Sequence, residues 1–234
     1  MRRVGLIPAR GGSKGIPSKN LVELDGRPLI AHTICCALDS KVLDSIIVST
    51  DSLEIAEVAQ NYGADVPFLR PQNISQDNSN AVEVIDHCLR FLSNSDYFPD
   101  TLVYLQPTSP LRISNDIIGA IARFDQERAD TLVSVQTVPH QFNPESIMQM
   151  DDTNRLMSNS GGNESLDRHF KPSYVARNGP AILVLNVTKF LQEKAFYAGN
   201  MHVVGYPMPK ERSIDIDEPW DLRLAQAVLN LDKL

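Results

Sequence analysis

The chain of 234 residues is long enough for one large domain, and its 42% hydrophobic residues suffice for a sizeable core. Its formal net charge of −7 argues against a nucleic-acid-binding protein, because such proteins are usually basic. No apolar run reaches the roughly 18 residues that a membrane helix needs. The three cysteines lack C-x-x-C spacing, which suits a reducing cytosol. We therefore expect a soluble cytoplasmic protein without a membrane or nucleic-acid partner.

Short apolar runs typical of strands alternate with helical patterns along the chain. The predicted strands are Arg3–Pro8, Ser45–Thr50, Val66–Leu69, Thr101–Gln106, Thr131–Val135, Ala181–Asn186 and Met201–Tyr206. The predicted helices are Pro28–Asp39, Ser52–Tyr62, Ala81–Ser93, Asn115–Arg128, Thr188–Lys194 and Glu218–Leu231. This alternation predicts an α/β fold in which helices cover both faces of a mostly parallel sheet.

Local polar residues predict where two of these helices begin. Asp51 and Asn80 each precede a glutamate by three residues, which is the spacing of a capping box. Gly63 follows the second helix and is expected to end it.

The stretch from residue 139 to residue 178 interrupts the alternation, because it is polar and has no clean period. An excursion of this length within a single domain is usually functional. A disordered surface insertion stays open as the alternative, since Ser, Asn and Gly dominate its middle.

The first predicted strand leads into a loop that carries unusual charge, IPARGGSKGIPSKN at residues 7–20. Its glycines allow the backbone to approach a ligand and to turn amide N–H groups toward it. Arg10, Lys14 and Lys19 supply the positive charge that a polyphosphate needs. The loop matches neither a Walker motif nor a dinucleotide fingerprint. We interpret it as a grip for a nucleoside triphosphate; the alternative is a flexible surface turn with solvated charges.

Two carboxylates near the C-terminal end of the sequence form a second candidate element, in the segment SIDID. Residues two apart in an extended segment point to the same side, so Asp215 and Asp217 are expected to lie together. Close carboxylates repel unless a cation lies between them, and Mg²⁺ suits carboxylates combined with phosphate oxygens. Asp217 alternatively caps the helix that follows it.

Two further segments are candidates for binding a substrate. The loop QPTSPLR at 106–112 is stiffened by two prolines and is polar, although a capped turn explains it equally well. The segment RHFKPSYVARN at 168–178 combines cations with aromatic rings, as a sugar acid requires, or is a basic surface segment. The histidines show no zinc-ligand spacing.

The chain resembles the CMP-sialic acid synthetase family over almost its whole length. Three motifs carry the likeness in the expected order, IPARGGSKGIPSKN at 7–20, LQPTSPLR at 105–112 and SIDIDEPWDL at 213–222. The resemblance implies a three-layer, Rossmann-like nucleotidyltransferase fold, with residues 139–178 protruding from the single domain 1–234 to form a homodimer with shared active sites. It also implies that CTP and a nonulosonic acid give a CMP-sugar acid and pyrophosphate with Mg²⁺, for surface glycan synthesis.

Carried over to matching positions, the resemblance implies the roles of individual residues. The nucleotide-binding group is Ala9, Arg10, Gly11, Ser13, Lys14, Lys19, Asn20, Arg70, and Ser79 or Asn80. The group that contacts the sugar acid is Gln106, Thr108, Ser109, Arg168 and Asn178. Asp215 and Asp217 are the expected metal ligands, and with Arg10 and Lys19 they form the expected catalytic group.

The sequence departs from the family pattern at one place that bears on the substrate. Members that use N-acetylneuraminate commonly read N-G-A-I-Y, whereas this chain reads N-G-P-A-I-L at 178–183. Leu183 stands in place of the expected tyrosine, and Pro180 resembles an insertion. We therefore expect a related acid, of the legionaminate type or another bacterial nonulosonate such as pseudaminic or deaminated neuraminic acid.

Two other functions compete with this interpretation. The first is another sugar nucleotidyltransferase, such as one that activates 3-deoxy-octulosonate or uses a different base. The second is a non-catalytic sensor of nucleotide sugars, which is disfavoured because the chain keeps both the loop cations and the paired carboxylates.

Overall fold

The secondary structure follows the predicted alternation closely. The computed structural model describes residues 1–76, 79–95, 97–144, 146–158, 173–179 and 181–231. The helices are α1 (Leu29–Ser40), α2 (Leu53–Asn61), α3 (Ala81–Asn94), α4 (Ser114–Glu127), α5 (Val187–Glu193) and α6 (Pro219–Leu231). The strands are β1 (Arg3–Pro8), β2 (Glu23–Leu24), β3 (Arg27–Pro28), β4 (Ser45–Ser49), β5 (Thr101–Tyr104), β6 (Thr131–Thr137), β7 (Met148–Met150), β8 (Leu156–Ser158), β9 (Val175–Arg177), β10 (Leu183–Asn186) and β11 (Val203–Pro207).

One seven-stranded sheet organises the molecule, in the order β11-β6-β10-β5-β1-β4, with β9 paired to β6. Strands β1, β4, β5, β6 and β11 run in one direction, and β9 and β10 run in the other, which is five against two. The predicted α/β class with a mostly parallel sheet is therefore confirmed. Within the described ranges no helix is long and apolar enough to cross a membrane.

Buried side chains divide between the two faces of this sheet. Along β5 and just beyond it, Val103 and Leu105 pack with residues of α1, α2 and α4, whereas Leu102 and Tyr104 pack with residues of α3 and α5. Alternate side chains of a strand point to opposite faces, so helices on both sides bury the sheet completely. Burial of each large side chain contributes about 1.5–3 kcal/mol. A third apolar cluster, around Leu24, Leu29 and Ile216, supports α6 beside the N-terminal loop.

Two predictions about local structure are wrong. Residues 66–69 do not form a strand; only isolated bridges join Asp65 and Leu69 to β4 and the residue after it. Pro67 lies within this run and has no N–H to donate, so a continuous ladder cannot form. The N-cap of α2 is Ser52, whose hydroxyl accepts from the Ile55 amide, and not Asp51.

The other capping predictions fit the structure. Asn80 and Glu83 form a reciprocal capping box at the start of α3, with two bonds of 3.0 Å. Gly63 lies just beyond the end of α2 with a φ of +91°, which glycine adopts without strain.

The described part of residues 139–178 contains short strands rather than continuous irregular chain. Strands β7 and β8 form a hairpin whose turn is held by Asp151, which accepts bonds from the backbone of Thr153 and Arg155. Strand β9 then returns the chain to the central sheet. Several large apolar side chains of this excursion are exposed, among them Phe142 at 60% and Met150 at 65%.

Candidate active site

A cleft of about 260 Å³ opens where the chain leaves the carboxyl ends of β1 and β5. Ligands of open α/β sheets bind at this edge, because the loops that follow parallel strands gather there. Nine of the sequence-predicted site residues line the cleft: Arg10, Ser13, Lys19, Asn20, Arg70, Ser79, Asn80, Gln106 and Thr108. Residues from distant parts of the chain therefore share one concave surface.

The N-terminal loop is held in place by polar contacts on both sides. The Gly11 amide donates to the Asp51 carboxylate over 2.8 Å, and the side-chain amide of Asn20 donates to the Arg10 carbonyl over 3.0 Å. Ala9 still follows the sheet, since its amide donates to the Ser49 carbonyl. Asp51 thus anchors the loop instead of capping α2. Lys14 is exposed on this loop.

The two ends of the sequence meet at this cleft. The Lys19 ammonium donates to the Asp217 carboxylate over 2.9 Å and to the Ile216 carbonyl over 2.8 Å. Gly15 packs directly against the main chain of Asp217, and a Cβ at position 15 would overlap the Asp217 carbonyl oxygen. The glycine is therefore needed for a close approach between the loop and the acidic segment.

Asp215 is more buried than Asp217, and its surroundings make the negative charge of its carboxylate unfavourable. Its Oδ1 atom is buried and has no hydrogen-bond partner among the described residues. Burial raises the pKa of the Asp215 carboxyl, the negative charge of Asp217 adds to this, and a hydrogen bond from Thr108 and the charge of Lys19 oppose it. The segment is fixed by the Ile216 amide, which donates to the Thr108 carbonyl over 2.8 Å. An added cation would offset the unfavourable negative charge of the Asp215 carboxylate.

The backbone at Gly179 brings Asp215 together with the 106–112 loop. Gly179 has a φ of +108°, and a Cβ there would lie 3.0 Å from Gln106 Oε1 and 3.2 Å from Asp215 Oδ2. It would also lie 3.3 Å from the hydroxyl of Ser109, which is fully buried. A polar cluster of Gln106, Ser109 and Asp215 therefore surrounds a position that only glycine fits well.

Asn178 lies behind the cleft rather than among its lining residues. It is 2% exposed, its amide oxygen accepts from the Ser134 hydroxyl over 2.6 Å, and its amide nitrogen donates to Ser213 over 2.9 Å. These contacts hold the neighbouring Gly179 and the start of the acidic segment. The predicted contact of Asn178 with a sugar acid stays a prediction, and Arg168 lies outside the described residues.

Comparison with known proteins identifies the class of molecule that carries this cleft. A family model described as cytidylyltransferase matches residues 4–227. The chain belongs to the cytidylyltransferase family. This cytidylyltransferase is 34% identical to a CMP-N,N'-diacetyllegionaminic acid synthase of Legionella pneumophila, over 100% of the chain and 98% of that protein. It is 36% identical to an N-acylneuraminate cytidylyltransferase of Escherichia coli, over 95% of the chain and 51% of that protein.

A solved structure shares the fold of the cytidylyltransferase. It is a CMP:2-keto-3-deoxy-manno-octonic acid synthetase complexed with CTP, with a TM-score of 0.70 and 16% sequence identity. The superposition covers 99% of this chain and 100% of the other. At this identity the likeness shows the architecture alone.

Sequence reasoning missed one wall of the cytidylyltransferase cleft. Ile74, Ser75, Gln76, Ala81, Val84 and Tyr104 also line it. Most of these residues precede or begin α3, and neither their polar nor their apolar side chains form a distinctive sequence pattern. For Tyr104 a signal existed, because it places a hydroxyl at the end of an otherwise apolar strand.

Arg70 and the polar side chains near this wall are held in place by hydrogen bonds to neighbouring residues. Arg70 is 6% exposed, and its Nε donates to Ser75 over 3.1 Å. Burial lowers the pKa of the Arg70 guanidinium, and the Asp51 carboxylate opposes that shift. The Ser79 hydroxyl accepts from the Gln76 amide, and the Asn80 side-chain oxygen caps α3, so Ser79 keeps a hydroxyl hydrogen to donate.

A buried arginine, which sequence reasoning did not single out, stiffens the 106–112 loop. Arg112 is 3% exposed and donates to the Ala181 carbonyl and, over 2.9 Å, to the Thr33 hydroxyl. The contact to Ala181 joins this loop to the start of the antiparallel strand β10. Gln106 and Thr108 are thereby presented from a braced loop.

Proposed function

We propose that this cytidylyltransferase converts CTP and a nonulosonic acid into a CMP-nonulosonic acid and pyrophosphate. The anomeric hydroxyl oxygen of the acid forms a bond to the α-phosphorus of CTP. The bond from that phosphorus to the bridging oxygen of the β-phosphate breaks, and pyrophosphate leaves with the electron pair. The hydroxyl proton passes to solvent. No covalent intermediate with the enzyme is needed, because positioning and charge lower the barrier.

The observation that carries the proposal is the contact between Lys19 and Asp217. It joins a loop of glycines and cations, which lines the cleft, to the segment of Asp215 and Asp217 beside the cleft, so the groups proposed to grip a triphosphate lie next to the groups proposed to hold a metal. Arg10 and Lys19 neutralise charge that develops on the departing pyrophosphate. Asp51 holds the Gly11 amide, and no atom beyond the chain neighbours lies within 4 Å of where a Cβ of Gly12 would be, which leaves room for phosphate oxygens beside Gly12.

The residues of the acidic segment fit a magnesium ion. Among the described residues no group of three His, Cys, Asp or Glu side chains forms a closed metal site. Magnesium does not require one, since it commonly uses one or two carboxylates with substrate phosphates and water. We propose that Asp215, with its unsatisfied Oδ1, and Asp217 hold Mg²⁺. When bound, the ion supplies positive charge that screens the phosphate oxygens and activates the attacking hydroxyl.

Support for the class of acid comes from the relatives together with the polar cluster near Gly179. The two curated relatives act, by their names, on diacetyllegionaminic and N-acylneuraminic acids. We propose diacetyllegionaminic acid as the first substrate to test, with Gln106 and Thr108 binding it and Arg168 pairing with its carboxylate. Leu183 is 1% exposed and packs in the core, and it is not among the residues that line the cleft.

We further propose a homodimer formed through the 139–178 excursion, with active sites shared between the subunits. The exposed apolar side chains of its hairpin support this, because exposed apolar patches commonly mark protein interfaces. A cytoplasmic location is supported by the free thiols of Cys35, Cys36 and Cys88. Such an enzyme would serve surface glycan synthesis, in capsule or lipopolysaccharide.

The proposal is tested by incubating the protein with CTP, Mg²⁺ and a panel of acids. The panel contains diacetyllegionaminic, N-acetylneuraminic, pseudaminic, deaminated neuraminic and 3-deoxy-octulosonic acids. Pyrophosphate release and mass spectrometry of the product are the readouts. We expect a CMP adduct with at least one nine-carbon acid; its absence with all of them rejects the proposal.

The metal role is tested by Asp217→Asn, which keeps the shape of the side chain and removes its charge. We expect turnover to fall at least about 100-fold while the protein stays folded, because transition-state charge is no longer screened. Glu57→Gln, which neutralises an exposed carboxylate on α2 away from the cleft and the excursion, is the matched control and should be unaffected. Full activity of Asp217→Asn would remove the proposed metal role.

A further inference from the structure

One side chain in the floor of the cleft takes no part in the proposed reaction. Tyr104 is the last residue of β5, and it lies between Leu6 of β1 and Leu183 of β10 in the middle of the sheet. It is 5% exposed, and what remains exposed lines the cleft. Its ring packs with α3 residues in the core beneath.

The hydroxyl of Tyr104 is not hydrogen-bonded to any other residue that the structure describes. A buried tyrosine hydroxyl usually finds a partner, because an unsatisfied polar group in a core is destabilising. Burial raises the pKa of this hydroxyl to about 12, so it stays protonated at neutral pH and can both donate and accept. Because Tyr104 lines the cleft, its hydroxyl can take either water or a ligand in the cleft as its partner.

The surroundings of Tyr104 suit a flat aromatic ligand. Ile74, Ala81 and Val84 line the same cleft and are apolar, whereas Arg70 provides a buried guanidinium whose charge acts on the tyrosine. A nucleobase has apolar faces and a polar edge, so it satisfies both kinds of lining. A polyhydroxylated sugar acid would leave its hydroxyl groups unpaired against these side chains.

We propose that Tyr104 determines nucleobase specificity in this cleft. Its ring limits the depth of the base pocket, and its hydroxyl pairs with the polar edge of the pyrimidine beside the Arg70 guanidinium. A purine, which is longer by a fused ring, would meet the tyrosine ring. The inference rests on the proposed function for its choice of CTP, but the binding it describes can be measured without turnover.

Equilibrium binding experiments distinguish contacts to the base of CTP from contacts to its phosphates. Wild type, Tyr104→Phe and Tyr104→Leu are titrated calorimetrically with CTP and, separately, with inorganic tripolyphosphate, in the absence of any acid. We expect Tyr104→Phe to weaken CTP binding about tenfold, as loss of one buried hydrogen bond does, and to leave tripolyphosphate binding within about twofold. Tyr97→Phe removes a hydroxyl outside the cleft and should bind both ligands as wild type does.

Kinetics with the active acid add a second readout. We expect Tyr104→Phe to raise KM for CTP about tenfold with KM for the acid within about twofold, and Tyr104→Leu to raise ATP use relative to CTP at least about tenfold. Unchanged CTP binding in Tyr104→Phe overturns the inference. So does a rise in KM for the acid alone, which would place Tyr104 against the sugar.

The binding measurements also distinguish a failure of this inference from a failure of the proposed function. If wild type turns over no acid while CTP binding still depends on Tyr104, the proposed function fails and this inference stands. If wild type is active and Tyr104→Phe equals wild type, only this inference fails. Matching circular dichroism spectra and thermal midpoints verify that both variants are folded.

Discussion

At the scale of one residue, Asp215 illustrates that a side chain in a candidate site can lower the stability of the ligand-free protein. Its carboxylate is largely buried, one oxygen has no hydrogen bond among the described residues, and the Asp217 charge lies nearby. Only Thr108 and Lys19 offset this, so the folded chain favours the protonated form more than the unfolded chain does. Functional residues are often destabilising in this way, because their partner is the ligand.

Replacing this carboxylate with its neutral isostere should therefore stabilise the free protein. Since the folded pKa of Asp215 lies above its ordinary value of 3.8, wild type loses stability as pH rises from about 4 through the folded pKa. We expect Asp215→Asn to raise the thermal midpoint at about pH 7.5 by about 2–4 °C, and turnover to be nearly lost. Below about pH 3.5 the difference in midpoint should vanish.

Thermal melts of both proteins across pH provide the measurement. Asp217→Asn is the comparison, because Asp217 is mostly exposed and pairs with Lys19. Removal of its charge therefore avoids no cost of burying a carboxylate and should not raise the thermal midpoint. A midpoint for Asp215→Asn below that of wild type at neutral pH would contradict the electrostatic explanation.

At the scale of elements, the turn between β9 and β10 decides how the 106–112 loop and the acidic segment approach one another. Gly179 needs a positive φ, and any side chain there would displace Gln106, Ser109 or Asp215. Both strands around this turn run against the main direction of the sheet. The antiparallel strand thus brings a turn, rather than a helix start, to the ligand edge.

Gly179→Ala should separate backbone strain from damage to the site. We expect it to lower the free energy of unfolding by about 1–3 kcal/mol, and kcat/KM to fall at least about 100-fold as the polar cluster moves. Gly26→Ala is the matched control, because Gly26 has a φ of +76° but no atom beyond its chain neighbours within 4 Å of where a Cβ would lie. Denaturant melts and pyrophosphate assays measure both effects.

The control, Gly26→Ala, should show the effect of backbone strain alone. Its free energy of unfolding should fall by a similar amount, and its activity should stay normal. If Gly179→Ala keeps wild-type kcat/KM, the convergence of Gln106 and Asp215 at this turn does not matter for turnover.

At the scale of the whole molecule, the described part of the excursion after β6 exposes more large apolar side chains than a simple surface loop would. Phe142, Met150 and Leu156 are 56–65% exposed, and they lie on or beside a hairpin that makes its own turn bonds. Burial of such side chains against a second subunit would stabilise an assembly by about 25 cal/mol per Å² of apolar surface. We therefore expect the hairpin to be covered in solution.

The dimer prediction is tested by placing a charge on this hairpin. We expect Met150→Glu to shift the protein from dimer toward monomer in sedimentation velocity and to lower activity in parallel, because a buried unpaired charge is unfavourable. Leu53→Glu is the control, since Leu53 is 73% exposed on α2, an element separate from the hairpin. A wild-type monomer at micromolar concentration would refute the dimer.

Sequence patterns predicted most elements because strands and helices follow local rules of periodicity and capping. The capping box at Asn80 and the apolar run of β5 are examples, since both depend on residues close in sequence. The strand predicted at residues 66–69 was wrong because Pro67 has no N–H to donate and interrupts the ladder, which leaves only isolated bridges at Asp65 and Leu69. Asp51 was misassigned because its partner, Gly11, lies 40 residues away.

The sequence by itself determined the α/β class, the charged glycine-rich loop, the paired carboxylates and, through three motifs, the family. Only the tertiary structure decided that Lys19 contacts Asp217, that Asn178 lies behind the cleft, and that Tyr104 lies in its floor. The reason is physical. Composition and short-range pattern set local conformation, whereas burial, pKa and the partner of a polar atom depend on residues that the fold brings from far along the chain.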